Sequence, residues 1–192
     1  MNGCQCLLSG LHTSVHGERF GVNTGDLLPM PILRMAISTL IAFSLDRLSK
    51  VAIIHWLDLA SAHTIHVWSP YLNFVMAWNT GINFGFLSNY SGRWLLIAFA
   101  IAISIGMTAW VRNKRGWTLP LATGAIVGGA LGNAFDRVIY GAVADYLNMS
   151  CCGINNPYAF NVADVLIFSG TVFIVIGYEP KLPSISDKLI PS

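Results

Sequence analysis

The sequence predicts an α-helical membrane protein: four transmembrane helices, joined on one side by segments that form short strands at the membrane surface. Three observations carry this. Of 192 residues, 54% are hydrophobic and 10% charged, whereas an ordinary soluble domain carries roughly 25% Asp, Glu, Lys and Arg. Long stretches contain no charge at all. The basic residues gather on one side of the spans that those stretches define. A mean hydropathy of +0.59 excludes a disordered chain and argues against a water-soluble enzyme. The net charge of +2, from 11 basic and 9 acidic residues, offers no electrostatic footprint for nucleic acid.

Residues 1–29 are polar and Gly-rich. Their apolar run, CLLSGL, is too short for the core of a signal peptide, so they read as an extension ahead of Met30, a second candidate start. A single membrane domain is expected over residues 30–180, followed by a tail over 181–192. The first span begins near Pro31 and runs through MAISTLIAFSL to Asp46, Arg47 and Lys50. The second lies in the 18 uncharged residues between Arg93 and Arg112, and the third in the 20 between Arg115 and Asp136. Both match the ~20 residues needed to cross ~30 Å of hydrocarbon. The fourth runs from about Phe160 to Tyr178, interrupted by Asp164. Gly124, Gly128 and Gly132 fall on one face of the third span, with Gly129 beside them, which permits close helix packing within the bundle. Cys4, Cys6, Cys151 and Cys152 show no zinc-ligand spacing.

Orientation follows from charge. With the N-terminus inside, Arg19, Arg34, Arg112, Lys114, Arg115, Lys181 and Lys188 are cytoplasmic, seven of the eleven basic residues. The C-terminus is then also inside. Two long outer segments remain. Leu57–Gly92 contains TIHVW and YLNFVMAW, β-branched and aromatic runs that read as short surface strands. The second, from Arg137 to about Ala159, has Gly141, Gly153 and Pro157 and reads as a loop.

On this topology the acids converge. Asp46 lies about 21 Å along the first helix, near its outer end, and Lys50 stands one turn further in the favourable pairing sense. Asp136 and Arg137 end the third helix. Both couples read first as structural ion pairs. Asp145 follows in the outer loop and Asp164 enters the fourth helix, neither with a basic neighbour in sequence. An ionised Asp inside a span costs roughly 2.5–3.5 kcal/mol and needs a partner or a task. Two such carboxylates at one depth suggest a dyad sharing a proton. One member can take a proton from water while the other polarises a carbonyl, the chemistry of aspartic peptide hydrolysis. Ion-pathway carboxylates and structural hydrogen bonding stand beside this reading. A transporter predicts acids spread through the bilayer and inverted repeats; here the acids cluster and no repeat is found. A metal site at His63, His66, Cys151 and Cys152 has the weaker spacing, and a structural scaffold leaves the two lone acids unexplained. Asn79, Asn133 and Asn161 flank the acids with donors and acceptors.

At these residues the chain resembles the lipoprotein signal peptidase (signal peptidase II) family. The matching elements are DRLSK at Asp46–Lys50, NTGINFG at Asn79–Gly85, GGALGNAFDR at Gly128–Arg137, GAVADY at Gly141–Tyr146 and FNVAD at Phe160–Asp164. They occur in the family's order. The resemblance implies removal of the signal peptide from bacterial prolipoproteins, before a cysteine bearing a diacylglyceryl group. It implies Asp145 and Asp164 as catalytic residues, with Asp46, Lys50, Asn79, Gly81, Asn133, Asp136, Arg137 and Asn161 holding substrate or orienting the dyad. It further implies an extracytoplasmic β-cradle, no metal and no cofactor. A monomer in the bacterial inner membrane is expected, with its site at the outer face and its partners being lipid-modified substrates and membrane lipid. Arg47 stands where the family commonly has Gln, Ile82 and Asn83 replace small residues, and Tyr146 replaces a frequent Phe.

Overall fold

A computed structural model describes residues 30–81, 91–114, 116–151, 153 and 156–177. The expected extension, the C-terminal tail and the Ile82 and Asn83 departures lie outside the described residues. Helix α1 spans Met30–Val51 and continues into a π-helical segment, Ala52–Trp56. A single turn, α2 (Leu59–Ala62), leads to the hairpin of β1 (Thr64–Trp68) and β2 (Leu72–Asn79). Then come α3 (Ser91–Val111), α4 (Thr118–Ile139), β3 (Val143–Met149) and α5 (Val162–Gly177). Within the described residues, Gly92–Val111 and Thr118–Ile139 are long and apolar enough to cross a membrane, and Val162–Gly177 is a shorter apolar helix. Helix α1 has 22 residues but carries Arg34, Asp46, Arg47 and Lys50.

Helix α4 sits at the centre and packs against α1, α3 and α5. Its glycines explain how. A Cβ on Gly128 would lie 2.6 Å from the Thr39 carbonyl oxygen and from the Ala42 Cβ, and one on Gly124 would lie 2.5 Å from the Met35 carbonyl oxygen. Helix α1 therefore runs parallel to α4 at a separation that only glycine permits. On another face, Gly129 meets the Ala163 carbonyl of α5, and Gly170 of α5 meets that of Ala122. The two helices are antiparallel, each notched for the other. Helix α3 differs: Leu95, Phe99, Ile101 and Ile105 are exposed.

The three strands form one antiparallel sheet in the order β1-β2-β3. Ile53, Leu59 and Tyr146 form the apolar cluster beneath it. The strands expected around TIHVW and YLNFVMAW are present. The segment expected as a loop beyond Arg137 is not wholly one: Val143–Met149 is the third strand, buried over almost its whole length. Burial on both faces removes the alternation by which a strand is read, and Asp and Asn are depleted in strands. Asp145 is therefore a strand residue rather than a loop residue.

Candidate active site

Two registers bring Asp145 and Asp164 to one place. In the β2–β3 ladder Asn79 lies opposite Val143, so Asn79 and Asp145 are diagonal neighbours on one face. The Asn79 amide donates to Asp145 Oδ2 at 3.0 Å. After β3 the chain returns to pair Phe160 with Leu147 through reciprocal backbone bonds of 2.8 and 2.9 Å. That bridge sets Asn161 beside β3 and fixes where α5 begins.

Asn161 and Asp164 then cap α5 reciprocally. Asn161 Oδ1 accepts the Asp164 N–H at 3.0 Å, and Asp164 Oδ2 accepts the Asn161 N–H at 3.2 Å. This is a capping box with Asp in place of Glu. The Asn161 amide also donates to Asp145 Oδ1 at 2.5 Å and to Asn133 Oδ1 at 3.2 Å. The Asn133 amide donates to Asp164 Oδ1 at 2.8 Å. Both carboxyls are thus linked through Asn161 and solvated by amides, with no cation in direct contact among the described residues. Asn161 is fully buried and Asp145 nearly so. Burial raises the Asp145 carboxyl above its ordinary range; the Asn79 and Asn161 amides oppose this and the Asp164 charge adds to it.

Beside this pair lies a second cluster of opposite character. Asp46, Asp136 and Lys50 are essentially buried and Arg47 partly so. Lys50 Nζ reaches Asp46 Oδ1 at 2.9 Å and Asp136 Oδ2 at 2.6 Å; Arg47 reaches Asp46 Oδ2 and Asp136 Oδ1, each at 2.6 Å. The expected Asp46–Lys50 pair is present. The expected Asp136–Arg137 pair is not: among the described residues Asp136 pairs with Arg47 and Lys50 of α1. Successive helical side chains diverge by about 100°, so Asp136 faces α1 while Arg137 turns away. Its guanidinium donates to the Asn133 carbonyl at 3.2 Å and lies close to Gly81. From there its charge acts on Asp145 and Asp164. Gly81 adopts φ +83°, and a Cβ there would meet Leu96 at 2.5 Å and Arg137 at 3.3 Å. Its N–H donates to Asn79 Oδ1 at 2.8 Å, which orients the amide toward Asp145.

All ten candidate residues therefore lie in two adjoining networks joined by Lys50, which contacts Asn133 Oδ1 at 3.3 Å. Three participants carry no role in the sequence reading. Arg47 and Tyr146 stood out there only as departures, and Ser49 not at all. The Tyr146 hydroxyl donates to Ser49 Oγ at 2.7 Å, and Ser49 donates to the Asp46 carbonyl at 2.8 Å. Counting charge would have pointed to Arg47, since Lys50 alone cannot balance two buried acids. Of the rival metal ligands, His66 bonds Asn73 and His63 the Ser61 carbonyl, each at 2.8 Å.

Two solved structures of bacterial membrane enzymes, at 1.9 and 2.3 Å resolution, are similar to this chain, with TM-scores of 0.64 and 0.60. Each covers 74% of the chain, and the chain covers 90% and 85% of them at 24% identity. This chain shares their fold, helical with a small sheet. The family model described as signal peptidase (SPase) II matches residues 38–178. A lipoprotein signal peptidase of Methylorubrum extorquens is 38% identical over 153 residues, 77% of this chain and 88% of that protein. One from Rhodopseudomonas palustris is 33% identical over 80% of this chain and 96% of its own length. The chain belongs to the signal peptidase II family, and is a peptidase of the membrane.

Proposed function

We propose that this chain is an intramembrane aspartic endopeptidase that removes the signal peptide from diacylglyceryl-modified bacterial prolipoproteins, cleaving before the lipidated cysteine. Family membership supports the substrate class. The observation that carries the mechanism is the amide-linked carboxylate pair, Asp145 and Asp164, free of direct ion pairing among the described residues at the junction of sheet and helix bundle.

The pair holds one proton, because two neighbouring carboxyls, one buried and one half-buried, do not both ionise readily. The ionised member accepts a proton from water as the oxygen attacks the scissile carbonyl carbon. The protonated member donates a hydrogen bond to, then protonates, the carbonyl oxygen. Collapse of the gem-diol breaks the C–N bond, and a proton from the pair goes to the leaving amine, the new N-terminus of the lipidated cysteine. The remaining diol proton restores the pair. The Asn79, Asn133 and Asn161 amides keep both carboxyls in place through the cycle.

The chain crosses the membrane four times in this reading, N-in and C-in, with the three-stranded sheet as an outer cradle. Its support is the exposure of large apolar side chains on α1, α3 and α5, such as Leu40, Phe99 and Phe168, and the basic Arg34, Arg112 and Lys114 at the opposite end. A substrate held by two acyl chains and a hydrophobic signal helix presents its scissile bond at the depth of the carboxylate pair. The test is cleavage of a purified precursor with and without the diacylglyceryl group. Only the modified precursor is expected to yield a product beginning at the lipidated cysteine; cleavage elsewhere, or of both precursors alike, contradicts the reading.

A further inference from the structure

The ion cluster does more than brace two helices. Asp46 Oδ1 accepts the backbone N–H of Ala163 at 3.2 Å, and Asp136 Oδ2 accepts that of Ala144 at 3.3 Å. Ala163 immediately precedes Asp164 and Ala144 immediately precedes Asp145. Each acid of the cluster therefore holds the backbone N–H of the residue just before one member of the carboxylate pair. The two holders must stay side by side for the two held residues to keep their spacing.

Lys50 and Arg47 both span them, Lys50 through one nitrogen and Arg47 through two. The Arg47 guanidinium reaches Asp46 through one terminal nitrogen and Asp136 through the other, each at 2.6 Å, and also donates to the Gly132 carbonyl at 3.2 Å. A fork of this shape suits two carboxylates in a way that the point charge of lysine does not. Arg47 also completes the charge balance. Asp46 and Asp136 with Lys50 alone would leave one uncompensated negative charge in a buried site. Phe43 and Phe135 flank the guanidinium, at 5.8 and 5.0 Å from their ring centroids, which further fixes its plane.

We propose that Arg47 is a positioning residue for the reaction: by bridging Asp46 and Asp136 it sets the separation of Asp145 and Asp164 through the Ala163 and Ala144 backbone amides. It touches neither carboxyl of the pair and acts through geometry alone. This rests on the aspartic-pair reading above. A misplacement of reacting groups by about 1 Å can cost on the order of 100-fold in rate, so partial loosening of the bridge is expected to cost about tenfold.

The experiment is steady-state cleavage of the diacylglyceryl-modified precursor by the detergent-solubilised full chain, with kcat and KM read separately and the folded fraction measured by thermal transition. For Arg47→Gln, kcat per folded molecule is expected to fall by about tenfold with KM within about twofold of the parent. Arg47→Lys, which keeps the charge but not the fork, is expected to fall by about threefold with unchanged KM. A parent kcat per folded molecule in Arg47→Gln, its losses all accounted for by unfolding, overturns the proposal. Should Arg47→Gln not fold, Arg47→Lys decides: a lowered kcat at unchanged KM supports the proposal and a parent kcat overturns it. Asp145→Asn and Asp164→Asn run in parallel separate the two claims. Activity in either one defeats the aspartic-pair reading itself, whereas two inactive variants beside a fully active Arg47→Gln defeat only the positioning role.

Discussion

Four aspartates gather at one end of the bundle, and the protein treats them in two opposite ways. Asp46 and Asp136 each contact both Arg47 and Lys50, at 2.6 to 2.9 Å. Asp145 and Asp164 receive amides instead, from Asn79, Asn133 and Asn161. A carboxylate locked between two cations is a structural charge whose worth lies in its geometry. A carboxylate solvated by neutral donors, buried, and near another carboxylate can exchange a proton. In the proposed function the same residue type serves as frame in one cluster and as reactive group in the other. The surrounding donors decide which.

The largest expected effect on folding lies in the frame. Lys50→Ala removes a buried cation that contacts both frame acids and is expected to cost about 3–5 kcal/mol, as broken buried pairs do. Thermal unfolding in detergent would show it, and a transition close to the parent's would mean that the frame is not what holds α1 to α4.

A smaller effect, on activity, is expected from Asn161→Ala. It strips a donor from Asp145 and the cap from α5, and should lower cleavage by about 10–100-fold. The amide holds the Asp145 carboxyl down against burial, so its loss raises that carboxyl further and moves the pH–rate profile toward higher pH. A profile that stays in place, or moves to lower pH, would remove Asp145 from the titrating pair.

Asp145 also makes stability depend on pH in a defined sense. Its carboxyl is raised in the folded state, first by burial, so the folded chain binds that proton more tightly than the unfolded chain does. The contribution is full below the ordinary carboxylate value and is lost as pH rises through the raised one. Asp145→Asn should flatten this part of the stability curve, and unfolding followed across the acid-to-neutral range checks it. The smallest effect is expected at the far end of the bundle. There Arg34 donates to the Gly116 carbonyl at 2.8 Å and lies 4.0 Å from the Trp117 ring. Arg34→Ala should cost about 1 kcal/mol or less and leave kcat at the parent value.

Much of this frame was legible in the sequence because it rests on local patterns. The uncharged runs foretold α3 and α4, and the spacing of Gly124, Gly128 and Gly132 foretold a close neighbour. The couple Asp46–Lys50 shows in the sequence because its members are one helical turn apart. What was hidden depends on residues far apart in the chain. Asp136 finds Arg47 only after α1 and α4 have packed, so the adjacent Arg137 looked like its partner. Strand β3 was hidden because burial on both faces erased its alternation. The Asn161–Asp164 capping box is local but departs from the usual Ser/Thr-x-x-Glu/Gln pattern, so its spacing N-x-x-D is a weak helix-start signal.

Asp145 and Asp164 are proposed to do chemistry that the frame does not. Single-turnover cleavage of a diacylglyceryl-modified precursor by folded Asp145→Asn and Asp164→Asn tests this most directly. Asn keeps the shape of each side chain and its capacity to accept a hydrogen bond, but it cannot exchange the proton. Both variants are expected to fold and neither to cleave. A folded variant of either kind that cleaves at the parent rate would contradict the proposal.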